Sequence, residues 1–452
     1  MIVTHFQRSR NFSMERVFSA VRRAFSNLFI RKPEGPATGD TGSRTWVDSA
    51  KLAVVRLADG FNALLVEMLH RLLFRKLRLP GDETSIRRIL IFRIGNVGDI
   101  VAATPTIGTI RRRFPHAHIC LLTSPGAKES PGARELVVPG SLVDALIVYY
   151  RSDILTWRGR KQLMHRIRSQ RFDLFIDLSN VLAPSRKVIG SMVLARIAGC
   201  RYAAGFLITP LRWFARTQAL RRSFRQESDR LFDTVSRTLD LQRDDLKQNE
   251  SGLLPVSAAD RSFVRGLLQG HGVSAHDRIV VLHVGGKRPA NRWFEDRYAA
   301  VADWIQRQPG MRAVLTGVPS EMGRIERVRL HMRSQPVIVC GELNLLQTAA
   351  LLEQACLYVG NDTGPMHIAA AVGTPAVAIF SARDFPQHWY PLGGGHVVLR
   401  RDVPCSPCFK HECDRGLTCL DLIQVDDVLQ AVRLQLPPGQ PGPPTEDERC
   451  AV

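Results

Sequence analysis

The chain has no stretch of about 18–20 uncharged apolar residues, the length a membrane-spanning helix needs. Its first thirty residues include basic side chains but no apolar run long enough for the central region of a secretory signal. Aromatic residues are few, at 7%, and they are not interleaved with basic residues in the manner of an RNA-binding sheet, so no nucleic-acid partner is expected. Acids are scarce relative to bases: 42 Asp and Glu stand against 62 Lys and Arg, a formal net charge of +20. Such a surface concentrates anions, anionic lipid and phosphorylated glycolipid among them. Nine cysteines form no even disulfide framework. Those in apolar settings, such as Ile119-Cys120-Leu121, read as reduced core residues, which points to the cytosol.

What is present is apolar material for two domains plus appendages: 452 residues, 45% hydrophobic and 23% charged. Residues 1–84 read as a basic, helical extension. Val17, Val21, Phe25, Leu28 and Phe29 recur at near-helical spacing, and 51–78 carries a second such set ending in Arg75, Lys76 and Arg78. Basic amphipathic helices of this kind lie on anionic membranes or pack on the body of the protein. From 88 the pattern alternates. Apolar runs at 88–94, 118–123, 142–149 and 172–178 read as strands, with helices to Phe114 and over 186–200 and 226–242. Thr104-Pro105 predicts a helix start after a long loop. A polar stretch, 243–258, reads as a linker. Alternation then resumes with strands at 278–284, 311–316, 336–340, 355–360 and 375–380, with helices between them. The expected fold is α/β: two doubly wound Rossmann-like domains, 85–245 and 259–435, facing a cleft. A Pro/Gly-rich tail, 436–452, is expected to be disordered.

Three strand ends in the second run carry possible chemistry. Gly360-Asn361-Asp362-Thr363-Gly364-Pro365 leads from a strand into a small-residue helix, with Pro365 in its first turn and Thr363 or Asp362 as its cap. Free N–H groups and the helix dipole favour phosphate there, and His367 lies one turn in. Gly285-Gly286-Lys287-Arg288 offers backbone amides and two cations. Gly317 ends a strand, and Glu321 in the following turn is suited to ribose hydroxyls or simply to the helix start. In the first run, Gly95-Asn96-Val97-Gly98-Asp99 is neither a dinucleotide G-x-G-x-x-G nor a P-loop. A carboxylate at that position is suited to act as general base, or to cap the helix. The cluster Cys405, Cys408, Cys413 and Cys419 is spaced C-x2-C-x4-C-x5-C. Tetrahedral zinc, reduced structural thiols and a redox-labile pair all fit it.

These motifs together resemble glycosyltransferase family 9, the ADP-heptose:lipopolysaccharide heptosyltransferases. The resemblance is carried by Ile89 to Ile100 with Thr104-Pro105, by Arg171 to Leu178, by Gly317 to Glu321, and by Asp362 to His367 with Ala369 to Pro375. Cys405, Cys408, Cys413 and Cys419 follow a pattern seen in one branch. The likeness spans roughly 88–433. It implies a GT-B fold and an inverting transfer without metal or other cofactor. It implies that Asp99 is the base, with Gly95, Asn96 and Gly98 on the acceptor side. It assigns Gly285 and Gly286 to phosphate, Glu321 to ribose and Leu343 to adenine, and Lys287, Arg288 or Arg292 would supply the phosphate cation. Asp362, Thr363, Gly364 and His367 then line the sugar-diphosphate site. The partners implied are ADP-heptose and a phosphorylated glycolipid, expected to be the lipopolysaccharide inner core. The enzyme would be cytoplasmic, peripheral at the inner face of the plasma membrane, with membrane contact through 1–84. One position departs: the family's lysine two residues before a tryptophan is Asn291 here, before Arg292-Trp293. That departure leaves room for a related transferase with another donor and acceptor. A basic membrane- or nucleic-acid-binding protein without turnover is the reading from a different class.

Overall fold

The computed structural model describes residues 60–61, 63–77, 83–128, 131–179, 185–206, 224–247 and 254–436. The helix expected within 13–32 and the tail 437–452 lie outside these residues, as does most of 1–84.

Two parallel sheets organise the chain. The first takes strands β1 (Arg88–Ile94), β2 (His118–Ser124), β3 (Ala145–Val148), β4 (Leu174–Asp177) and β5 (Tyr202–Ala204), in the order β3-β2-β1-β4-β5. β1 is central, and Ile91 pairs with Leu121 on one side and Ile176 on the other. Its apolar run is continuous because both faces are covered. Ile89 and Ile91 join one core, and Leu90 and Phe92 join the other. The second sheet takes β6 (Arg278–His283), β7 (Met311–Gly317), β8 (Val337–Cys340), β9 (Leu357–Asn361), β10 (Ala376–Phe380) and β11 (Val397–Arg400), in the order β11-β10-β9-β6-β7-β8. In each sheet the fourth strand returns beside the first. That places a topological switch point between β1 and β4, and another between β6 and β9, where α/β sheets open crevices for ligands.

The nine predicted strands are all present, Ala145–Val148 being the most shortened. Two short edge strands, β5 and β11, and the helices Trp157–Arg168, Ala258–Gly270 and Val425–Gln435 were not expected. The 243–258 stretch is partly helical, at Arg243–Lys247, and Ser257 caps the Ala258 helix by accepting from the Asp260 N–H at 3.1 Å. The largest correction concerns the helix after β1. It is α1, Val97–Arg113, starting seven residues before Thr104, with Pro105 inside it. Proline lacks the N–H that the Val101 carbonyl would accept. The Thr104 hydroxyl donates to that same carbonyl at 2.7 Å, so the helix continues through the proline. As a result Asp99 stands in the first turn of a helix rather than in a loop.

Trp293 is fully buried at the centre of the second lobe. Its indole N–H donates to the Ile423 carbonyl at 3.0 Å, and its ring meets Tyr298 edge to face. Trp293→Ala is expected to cost about 3–5 kcal/mol in urea unfolding, as cavity formation at a large aromatic does. Trp293→Phe is expected to cost less, since it keeps most of the packing and loses the hydrogen bond.

Candidate active site

On the first lobe the site is built by the turn from β1 into α1. Asn96 is the N-cap residue, and its N–H donates to Asp99 Oδ2 at 3.1 Å. Asp99 thus folds back over Gly95, where a Cβ would lie 2.2 Å from the Asp99 Cβ; the Gly95 φ of +147° also favours glycine. The Asp99 side chain remains one-fifth exposed. Burial raises its pKa above the ordinary aspartate value, and the Arg93 charge and the Asn96 N–H offset part of that.

Behind Asp99 lies a chain of buried charges. Arg93, fully buried on β1, donates from Nε to the Asp99 carbonyl at 3.0 Å and from Nη1 to the Leu178 carbonyl at 2.7 Å. Its Nη2 reaches Asp99 Oδ1 at 3.4 Å, and its Nη1 reaches Glu227 Oε1 at 3.0 Å. Glu227, in the first turn of the helix Glu227–Leu239, also accepts two bonds from Arg230, at 2.8 and 2.9 Å. Its other contact crosses to the second lobe, where His388 Nε2 lies 3.2 Å away and His388 Nδ1 lies 3.4 Å from Asp384. Burial alone would raise the Glu227 pKa, but Arg230, His388 and Arg93 outweigh it and hold the group well below the carboxylate range. Burial alone would lower that of His388, but its bonds to Asp384 and Glu227 push it up to about 9.

The second lobe contributes the ends of β6, β7 and β9. Asn361, fully buried, donates to the Gly285 and Val284 carbonyls at 2.9 and 3.3 Å and accepts from the Trp293 N–H at 3.1 Å. It therefore fixes the loop after β6 against the end of β9. Glu321 accepts from the Gly286 N–H at 2.7 Å and the Val318 N–H at 3.1 Å, which ties the β6 and β7 loops together. Its carboxylate lies against Gly285, where a Cβ would meet it at 2.0 Å. Leu343 follows β8 along the same carboxyl edge and is half-buried against the core.

Thr363 is the N-cap residue of the helix Gly364–Ala371, but among the described residues no side chain caps that helix. The expected cap by Thr363 or Asp362 is not made: the Thr363 hydroxyl donates to the Asn361 carbonyl at 3.3 Å instead. The first-turn N–H groups of Gly364 and Met366 consequently have no partner within the helix. His367 is buried, which lowers its pKa to about 4 and keeps the imidazole neutral. Burial, then the nearby Asp384 charge, push Asp362 up to about 6. Asn291 holds Asp362 in place, donating from Nδ2 to its carboxylate at 3.1 Å while accepting from the Ser381 hydroxyl at 2.7 Å. An amide brings hydrogen bonds to this position but no charge.

The two walls meet. A Cβ on Gly98 would lie 2.7 Å from His367 Cδ2, and one on Gly364 would lie 3.1 Å from Val97 Cβ. The first turn of α1 and the first turn of the Gly364 helix are therefore in van der Waals contact. Lys287 and Arg288 are both exposed. Arg288 is close enough to lower the pKa of Asp99 and of Asp362, so it is the cation that both walls share. Arg288 was one of the two cations singled out from the sequence, whereas Asn361, Arg93, Glu227 and His388 extend that set. Of these four, Asn361 alone had a signal there, as the neighbour of a strand-end glycine. The eight described cysteines are free thiols. Cys405, Cys408, Cys413 and Cys419 line one small pocket, and among the described residues no three His, Cys, Asp or Glu are arranged to hold a metal.

The arrangement offers a carboxylate base, a helix start open to an anion, and a carboxylate on a strand-end turn. The sequence profile of glycosyltransferase family 9 (heptosyltransferase) matches residues 160–418. The chain is 25% identical over 367 residues to lipopolysaccharide heptosyltransferase 3 of Escherichia coli K12, covering 76% of this chain and 96% of that one. The crystal structure of a family 9 glycosyl transferase from Veillonella parvula superposes with a TM-score of 0.64 at 22% identity, over 77% of this chain and 97% of that one. The structure of ADP-heptose lps heptosyltransferase II of Escherichia coli gives a TM-score of 0.54 at 21% identity, over 77% and 98%.

Glu227→Gln keeps the shape but removes the charge facing Arg93. It is expected to cost about 3–5 kcal/mol in denaturant unfolding, the effect of leaving a buried ion unpaired. The His388 pKa is raised on folding, from 6.5 to about 9. Its stabilising contribution is therefore complete below pH 6.5 and declines as pH rises through 9. Thermal unfolding across that window is expected to show the decline in the wild type and to lack it in His388→Gln.

Proposed function

The chain belongs to glycosyltransferase family 9, and from that premise we propose that it moves heptose from ADP-heptose to the lipopolysaccharide inner core, with inversion at the anomeric carbon. The observation that carries the reading is the contact of Gly98 with His367, which sets the Asp99 turn against the anion-binding turn of the other lobe.

In this reading Asp99 takes the proton of the acceptor hydroxyl, whose oxygen forms the new bond to the anomeric carbon. The bond to the diphosphate breaks, and ADP leaves with its electron pair. A raised pKa suits a base that must hold a proton during the transfer. Negative charge grows on the departing phosphate, and the amides at Gly364 and Met366 with Arg288 stabilise it. Gly285, Gly286 and Lys287 take the remaining phosphate contacts. Neutral His367 donates a hydrogen bond without competing for a proton. Asp362 repels phosphate, so we assign it to the sugar hydroxyls. Glu321 takes the ribose hydroxyls, Leu343 the adenine, and Thr363 lines the diphosphate site. Gly95, Asn96 and Gly98 border the acceptor. Residues 85–245 thus serve the acceptor and 259–435 the donor. A phosphorylated glycolipid acceptor places the enzyme on the cytoplasmic side, at the inner face of the plasma membrane.

Asp99→Asn keeps an oxygen for the Asn96 N–H, so it is expected to fold. It is expected to lose roughly 10²–10⁴-fold in kcat, the usual share of a general base, with little change in KM for ADP-heptose. Turnover scored by product mass checks this, and wild-type rates would remove Asp99 from the reaction. The acid limb of kcat/KM is expected above the ordinary aspartate pKa of 3.8, the direction set by burial. Amides and Arg288 carry the leaving-group charge here, so transfer is expected to survive a chelator.

A further inference from the structure

Among the described residues, three helices cover the outer face of the first sheet. They are residues 63–73, Trp157–Arg168 and Ser185–Ile197. Each sends side chains into one core with Leu90, Phe92 and Phe175: Val66 from the first, Ile167 from the second, Val188 and Met192 from the third. All three therefore lie on the same side of the sheet.

Their outward side is unusual. The first helix buries Val66, but Phe61, Leu64, Met68 and Leu72 are 68%, 48%, 50% and 74% exposed. Their spacing places them along a single stripe. It is an apolar face in addition to the one packed on the sheet. At the start of the second helix Leu155 and Trp157 are 68% and 79% exposed. The third exposes Val193 and Ile197. Around these tips the charge is almost all positive. The second helix exposes Arg158, Arg160, Lys161, Arg166 and Arg168, and neither it nor the third contains an acid. The acid of the first, Glu67, is paired with Arg71 at 2.7 Å.

We propose that this outer helical layer docks on an anionic lipid bilayer. Apolar tips and an exposed tryptophan enter the interfacial region, while the arginines and lysines meet lipid phosphates. Basic charge alone would suit nucleic acid equally well, but a stripe of Phe, Leu and Met has no use on a phosphate backbone. The layer flanks one face of the sheet, so the carboxyl ends of β1 and β4, with Asp99, stay open. The proposal deepens the reading of the acceptor as a membrane glycolipid and rests on it. It moves the contact expected of 1–84 onto a surface that includes helices of the first lobe. Among the described residues no helix is long and apolar enough to cross a membrane.

The test is cosedimentation of the full chain with phosphatidylglycerol–phosphatidylethanolamine vesicles and with pure phosphatidylcholine vesicles. The triple variant Phe61→Ser, Leu72→Ser, Trp157→Ser serves as the probe, because all three side chains are mostly exposed and their loss spares the core. The wild type is expected to bind the anionic vesicles in a salt-sensitive way. The variant is expected to bind at least about tenfold more weakly and to transfer sugar to a delipidated, soluble acceptor at the wild-type rate. Failure of the full chain to bind anionic vesicles overturns the proposal, as does a variant that binds as well as the wild type. So does a variant whose only change is the loss of a dimer, since the stripe would then face a second copy. Vesicle binding without heptose transfer would instead overturn the functional reading and leave the surface standing.

Discussion

The site depends on a buried ion pair. Arg93 sits on the central strand of the first sheet with no exposure, where an unpaired guanidinium would cost several kcal/mol. Glu227 removes that cost from 134 residues away, and His388 completes the charge balance from the other lobe. The same arginine holds the Asp99 backbone carbonyl and approaches its carboxylate. One interaction therefore sets the position of Asp99, the proposed base, and joins the first lobe to the second. Charges in a low-dielectric setting have few satisfactory arrangements, so the network favours one relative placement of the walls.

The proposed chemistry divides along the same line, into an acceptor wall and a donor wall. Permanent charges stand behind the acceptor wall, out of reach of solvent. The donor wall works with dipoles: the open start of the Gly364 helix, the neutral His367 ring and the amide of Asn291. A diphosphate bound as proposed meets partial positive charge there. Asn291 fits this scheme. It keeps Asp362 hydrogen-bonded without neutralising it, which leaves that carboxylate with a pKa pushed up to about 6. Lys287 and Arg288 are the exposed cations beside the donor wall, and Arg288 is shared by both walls.

Much of this was legible in the sequence because parallel strands write themselves as short, uninterrupted apolar runs. The turns after β1 and β9 announced themselves through glycine next to Asn, Asp and Thr, and the turn after β6 through paired glycines before two cations. Other features had no local signal. Glu227 and His388 occur in ordinary surroundings, Gln226-Glu227-Ser228 and Gln387-His388-Trp389, and only the folded chain brings them within 3.2 Å. Thr104-Pro105 reads as a helix start, yet a hydroxyl in the carbonyl's vicinity lets the helix run through it. The Trp157 helix buries only Ile167 fully, so its apolar periodicity was too weak to detect. β5 and β11 have three and four residues at the sheet edges, too few to show a pattern.

In the proposed mechanism the Asp99 turn and the Gly364–His367 turn are two walls of one reaction site. A crystal structure of Asp99→Asn with ADP-heptose bound tests it most directly. The mechanism predicts the diphosphate within about 3 Å of the Gly364 and Met366 amides. It also predicts the residue 99 side chain on the opposite side of the anomeric carbon from the leaving phosphate. A diphosphate seated away from that helix start, or residue 99 on the same side as the leaving group, would contradict it.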